Sequence, residues 1–229
     1  MPTAHHAAWL VWAVITAIVC VMGVRMRGTP KGARFDRLIG LTLALGYVVV
    51  NIYWFSPPNL AWDDSLPIQL CDLAALCAPL AILTRRRPLR VLLYFWGFGL
   101  STQGFFTPTV APDPTLGKFW MHWINHGAVV GGAVYDLVVC RYRPTWRDWR
   151  FAIIASLLYV ALIFGLDIAT GWNYAYVGNA TPEQKTLVDV LGPWPLRVLW
   201  IVLIAGGAMT ALMLPWTIAR RLKLRGTNQ

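Results

Sequence analysis

Seven runs of apolar residues, at about 8–24, 38–55, 66–84, 90–107, 119–140, 150–170 and 195–218, occupy most of this 229-residue chain. A helix of roughly 20 apolar residues crosses a bilayer core of about 30 Å, so runs of this length rule out most soluble architectures. Composition agrees, with 57% hydrophobic and 13% charged residues, against roughly 25% charged in an ordinary soluble domain. The runs contain Gly and Pro and show no period-two alternation, whereas a barrel strand needs only about 10 residues with alternating faces. The sequence therefore predicts an all-α polytopic membrane protein, a seven-transmembrane-helix bundle forming a single integral membrane domain over residues 1–229. Residues 1–6 carry no Lys or Arg, and the first run ends at Val24 and Arg25 without a small-residue cleavage pattern. It is read as an anchor, not a signal peptide.

Charge placement fixes the expected orientation. The formal net charge is +10, and alternate loops divide the basic residues 17 against 3. The rich set clusters around Arg25–Arg37, Arg85–Arg90, Arg141–Arg150 and Arg220–Arg225, and the poor set holds Lys118, Lys185 and Arg197. Basic loops stay on the cytoplasmic side, so the N-terminus is expected outside and the C-terminus in the cytoplasm. Basic clusters beside spans account for the positive charge, and no aromatic-interleaved basic groove or Gly-rich phosphate loop is present, so nucleic acid is not an expected partner. Cys20, Cys71, Cys77 and Cys140 form no C-x-x-C pair and read as free thiols. Most of the 13 Trp fall near run ends, as an interfacial belt does. The loop at about 171–194, with Asn173-Tyr174-Ala175-Tyr176 and Gly192-Pro193-Trp194-Pro195, is predicted to fold back over the bundle.

Polar side chains are costly in hydrocarbon, so those inside the runs are candidate functional groups. Gln69, Cys71 and Asp72 lie in the third run, and His122, Asn125 and His126 in the fifth. At about 1.5 Å per residue, Cys71 and His126 lie roughly 7 and 10 Å below the outer ends. Gln103 and Thr107, Asn51 and Asp167 join the same outer layer. The inner half holds little beyond Asp136 and terminal arginines, the pattern of a half-membrane pocket more than of a transport path. His122 and His126 share one helix face, and Cys71 shares its face with Ala74, Ala75 and Ala78, small residues that admit a neighbouring helix. Cys71 and His126 are thus candidates for a nucleophile and its base, since the thiolate is the attacking species. Each also has a plain reading, as a buried thiol filling space or a histidine tying helices. A metal site is the weaker alternative, because H-x-x-x-H lacks a zincin glutamate and a second ligand pair. Asp72, Asp136 and Asp167 can be read as a proton relay or as hydrogen-bonded helix ties, and for Asp136 the structural reading is preferred.

The stretches Leu66-Pro67-Ile68-Gln69-Leu70-Cys71-Asp72, Thr107-Pro108, Asn125-His126-Gly127, Asn173-Tyr174-Ala175-Tyr176 and Leu191-Gly192-Pro193-Trp194-Pro195 follow one another in an order that resembles the YwaF-like integral membrane proteins of bacteria. That family is similar to a eukaryotic multispan protein that behaves as a phospholipid acyltransferase with a cysteine acyl acceptor and a nearby histidine. The resemblance implies Cys71 and His126 as counterparts. In the family pattern a His often stands at the place of Gln69 and a Ser at that of Asn125, which bears on substrate choice. The expectation is a lipid acyltransferase acting through an acyl thioester in an outward-facing pocket, with lipid acyl donor and acceptor, no soluble cofactor, and a bacterial inner membrane as its location. Gln69, His122 and Asn125 would orient His126 or bind an oxyanion, and Asp72 would stabilise an imidazolium. Gln103, Asn173, Tyr174 and Trp194 would line or close the site. The alternative expectation is a non-catalytic lipid- or small-ligand-binding membrane protein, and a proton-coupled transporter ranks third.

Overall fold

The computed structural model describes residues 3–179 and 190–226, and every regular element among them is helical. The elements are α1 (Thr3–Met26), α2 (Pro30–Phe55), α3 (Leu70–Thr84), α4 (Arg87–Trp96), a π turn (Gly97–Ser101), α5 (Gln103–Phe106), α6 (Gly117–Val138), α7 (Trp146–Thr170), a short 3-10 turn (Tyr174–Tyr176), α8 (Leu196–Ala211) and α9 (Leu214–Gly226). Four helical stretches are long and apolar enough to cross a bilayer: α1, α2, α7 and Leu196–Leu222. Those falling short, α3, α4 with α5, and α6, carry most of the polar side chains singled out in the sequence. They are also the most buried, for α3 packs on α2, α4 and α6, and Ala74, Ala78, Leu93, Phe95, Trp123 and Val129 are fully enclosed. The architecture is an inner group of polar-bearing helices ringed by apolar ones, which is where costly side chains escape hydrocarbon.

Touching residue pairs give each helix its direction. Trp12 meets Gly127, Thr16 meets Gly131 and Gly23 meets Val139, so α1 and α6 run parallel. Asp72 pairs with Asn125 and Ala78 packs on Gly132, so α3 parallels them. Helix α2 opposes α3, through Asp36–Arg85 and Gly40–Leu83. Helix α4 opposes α6 and parallels α7, through Arg90–Asp136, Arg87–Asp148 and Trp96–Ser156. Trp149–Thr210 and the Phe164–Trp194 stack set α8 against α7. Close approach at Gly40, Gly127 and Gly132 is obligatory, since a Cβ there would run into Leu83, Trp12 or Ala78.

Three expected runs differ in extent. The third begins as a helix only at Leu70, because Pro67 and an extended Gln69 (φ −59°, ψ 148°) hold the chain open before it. Cys71 and Asp72 therefore sit in the first helical turn instead of one to two turns down. The fourth is interrupted by a π turn at Gly97–Ser101, where Gly97 lies close against Ala133 and Val129 and Gly99 lies in ordinary contact range of Leu212 and Met209. The last breaks at Leu212–Met213, just ahead of Pro215, whose missing N–H and ring stop a helix from continuing through it. By contrast α7 starts sharply, because Thr145 and Asp148 form a reciprocal capping box and Arg87 clamps Asp148 at 2.5 and 2.7 Å.

Candidate functional site

At the end of the bundle away from the arginines, α3 and α6 are joined by one polar bridge: Asn125 Nδ2 donates to Asp72 Oδ1 at 2.9 Å. Cys71 precedes Asp72, with its Sγ 4.0 Å from the same oxygen, and His126 follows Asn125. The cysteine and histidine thus flank the bridge without a hydrogen bond between them among the described residues. Cys71 and His126 are half-buried, while His122 and Asn125 are buried.

The tautomers of the two α6 histidines follow from their partners. His122 Nε2 lies 3.0 Å from the Gly104 carbonyl and His126 Nδ1 lies 3.0 Å from the His122 carbonyl. Carbonyl oxygens only accept, so both ring nitrogens carry protons. For a neutral ring this leaves His126 Nε2 as the basic nitrogen, and it has no hydrogen-bond partner among the described residues. The two rings stack at 4.2 Å with 27° between planes, and the backbone of Gly104 lies so close that a Cβ there would overlap the His126 ring. His122 and Gly104 together fix where Nε2 points.

Other sequence-predicted residues shape the surroundings. Gln69 Oε1 accepts from Ala175 N at 2.8 Å and Asp167 Oδ1 from Tyr174 N at 3.1 Å, which pins the 3-10 turn above α3. Tyr174 is fully buried; its hydroxyl donates to the Trp62 carbonyl at 2.7 Å and accepts from Leu66 N at 3.1 Å. Trp194 donates to the Val177 carbonyl at 2.9 Å and stacks on Phe164. Within the described residues, then, the loop at about 171–194 does fold back; its segment 180–189 lies outside them. Asn173 keeps a buried Oδ1 with no partner among the described residues, and Gln103 opens α5, half-buried beside Gly104. Asn51 instead bonds the Tyr47 carbonyl of its own helix. Gln69 and Asp72 are therefore engaged with the loop and with Asn125, not with His126.

Two residues escaped the sequence reading. His5 is 3% exposed, with Nε2 donating to the Val110 carbonyl at 3.2 Å and Nδ1 accepting from Trp123 Nε1 at 3.2 Å, stacked on Phe119. It lies in the segment before the first run, where no pattern marked it. Arg197, counted only as an outer-side charge, is buried and donates to the Gly178 carbonyl.

All four cysteines are free thiols, and no group of three His, Cys, Asp or Glu among the described residues could hold a metal ion. Between the Asn125 and Asp136 levels, α6 packs through Gly, Ala and Val onto the alanine face of α3. Asp136 at the far end is held by Arg90 at 2.9 Å and Arg85 at 3.7 Å, as a helix tie.

No solved structure matches this chain. A protein of Treponema pallidum (strain Nichols) described as uncharacterized is 27% identical over 169 residues, which cover 74% of this chain and 68% of that protein. The model of the TMEM164 family matches residues 1–214. Extending from α1 to α9 and including every residue of the polar layer, that match means that the chain belongs to the TMEM164 family.

Proposed function

We propose that this protein is a cysteine-dependent lipid acyltransferase of a bacterial inner membrane, similar to the YwaF-like proteins, built as seven spans with its N-terminus outside. The alternating helix directions and the gathering of the arginines at one end support the seven-span topology. The observation that carries the chemistry is the flanking of the Asp72–Asn125 bridge by Cys71 and by His126, whose Nε2 is oriented and has no partner among the described residues. A thiolate in the first turn of α3 is favoured by the helix N-terminus.

The reaction runs in two halves. His126 Nε2 takes the Cys71 proton as Sγ attacks the carbonyl carbon of an acyl ester; the C–O bond breaks, and the departing lysolipid oxygen takes the proton from the imidazolium. An acceptor hydroxyl then gives its proton to Nε2 and attacks the thioester; the C–S bond breaks and Cys71 recovers the proton. Because no hydrogen bond joins the two side chains among the described residues, substrate must draw them together or a water must bridge them. A second reading, a lipid- or ligand-binding protein without catalysis, is favoured by the Asp72 carboxyl at 4.0 Å from Sγ, where an ionised oxygen opposes a thiolate.

Intact-protein mass spectrometry after incubation with mixed phospholipids separates the two. Wild type should gain a hydroxylamine-labile acyl mass that Cys71→Ala lacks. Absence of the adduct from wild type, and from His126→Ala assayed long enough to trap a slow second half, overturns the enzyme reading in favour of the binding one.

A further inference from the structure

A cleft of about 350 Å³ lies between α1 and α6 and is lined also by Phe105 and Phe106 of α5. Its wall along α1 runs from Trp9 to Cys20 and along α6 from Gly127 to Val134. At about 1.5 Å per residue the α1 wall is roughly 16 Å long and the α6 wall roughly 10 Å. One leaflet of a hydrocarbon core of about 30 Å is half that core, roughly 15 Å. The lining is almost wholly carbon, and it exists because Gly127 and Gly131 bring α6 close to α1 at Trp12 and Thr16 while Ala13 and Ala17 leave the space beside them unfilled.

The cleft adjoins the polar layer along the chain. Gly127 in its wall follows His126, and Phe105 follows Gly104, against which the His126 ring lies. We infer that this cleft holds a single lipid acyl chain, carboxyl end at the level of Phe105 and Gly127 and methyl end near Cys20 and Val134. The direction of the chain rests on the acyl-transfer reading, since it delivers the ester carbonyl toward His126 and Cys71. Occupancy itself rests on the shape, length and carbon lining.

The test uses the full chain in nanodiscs of phosphatidylethanolamine and phosphatidylglycerol with a trace of phosphatidylcholine carrying a photoactivatable diazirine on one acyl chain, placed near either the carboxyl or the methyl end. Cys71→Ala protein is used, so that no transfer intervenes. Peptide mapping should find the methyl-end probe on Cys20 and Val134, and the carboxyl-end probe on Phe105 and Gly127, several-fold above labelling of the lipid-facing Leu45 and Leu162. Ala17→Phe, which fills the cleft, should abolish the excess without unfolding the bundle. Equal labelling of cleft and lipid-facing positions overturns the proposal. So does an unlabelled cleft whose Ala17→Phe variant changes oligomeric state, which would mean that a second copy covers it. Depth-resolved labelling combined with no thioester on wild type would keep the cleft and discard the acyl transfer.

Discussion

Gly104 decides how His126 can point, because its missing side chain is the space that the imidazole occupies. A Cβ built there would fall about 2.2 Å from Cδ2 and 2.4 Å from Nε2 of His126, well inside contact distance. Gly104→Ala should therefore rotate the ring away from its seat, at about 1–3 kcal/mol of stability. Any Cys71 acyl adduct should drop at least tenfold while α-helical circular dichroism is kept; an unchanged adduct would mean that His126 does not need this orientation. Asn125 acts differently, for it supplies the donor shown to the Asp72 carboxyl. Asn125→Ala should cost about 1–3 kcal/mol through the unpaired buried oxygen, whereas Asn125→Ser, the residue that the YwaF-like pattern often carries there, should recover much of it. Thermal unfolding in detergent measures both, and a melting temperature of Asn125→Ala equal to that of wild type would show the bridge to be dispensable.

Among the elements, the Tyr174–Tyr176 turn is the roof over the first turn of α3. Tyr174→Phe removes the donor to the Trp62 carbonyl and the acceptor for Leu66 N, and should weaken loop docking by about 1–3 kcal/mol. Hydrogen exchange of the 172–178 amides should then quicken several-fold with α6 unaffected. Burial pushes the Tyr174 hydroxyl up to about 12 from the ordinary 10. A detached loop would lose that proton near pH 10 while the docked loop holds it, so docking is complete below pH 10 and weakens as pH rises toward 12. Protection of those amides that stays constant across that window, after correction for base-catalysed exchange, would contradict the buried role of the hydroxyl. Hydropathy made the apolar runs legible, and the polar residues of the third and fifth runs stood out within them, two of which, Asp72 and Asn125, meet in the structure. The late start of α3 and the breaks at Gly97–Ser101 and Leu212–Met213 were not, because close packing by glycine and backbone geometry before a proline leave the apolar pattern uninterrupted. His5 was invisible for another reason: its partners are Trp123 and the carbonyl of Val110, more than a hundred residues away, and spacing within one helix carries no trace of them.

For the whole molecule, the two ends of the bundle are chemically unlike. One collects Arg27 on the α6 terminus, Arg85 on Asp36, Arg90 on Asp136 and Arg87 on Asp148, tying α1, α2, α3, α4, α6 and α7 into a charged plate. Such a plate both resists translocation and locks the helices, since removing one partner of a buried pair typically costs about 3–5 kcal/mol. Asp136, 2% exposed, is the member whose loss should be felt most, so Asp136→Ala should lower the yield of folded protein and its melting temperature more than Cys71→Ala does. The same plate sets the orientation proposed for the chain, because basic loops are retained in the cytoplasm. Replacing the four native cysteines with alanine and adding one new thiol at a time tests this directly. With a membrane-impermeant maleimide on intact cells, Asp113→Cys, on the loop between α5 and α6, should be labelled. Arg86→Cys, between α3 and α4, should react only after the cells are opened. The reverse pattern would turn the molecule over and place Cys71 and His126 in the cytoplasmic half of the membrane. An acyl-transfer site would then face acceptors made inside the cell, and the cleft between α1 and α6 would draw its chain from the inner leaflet.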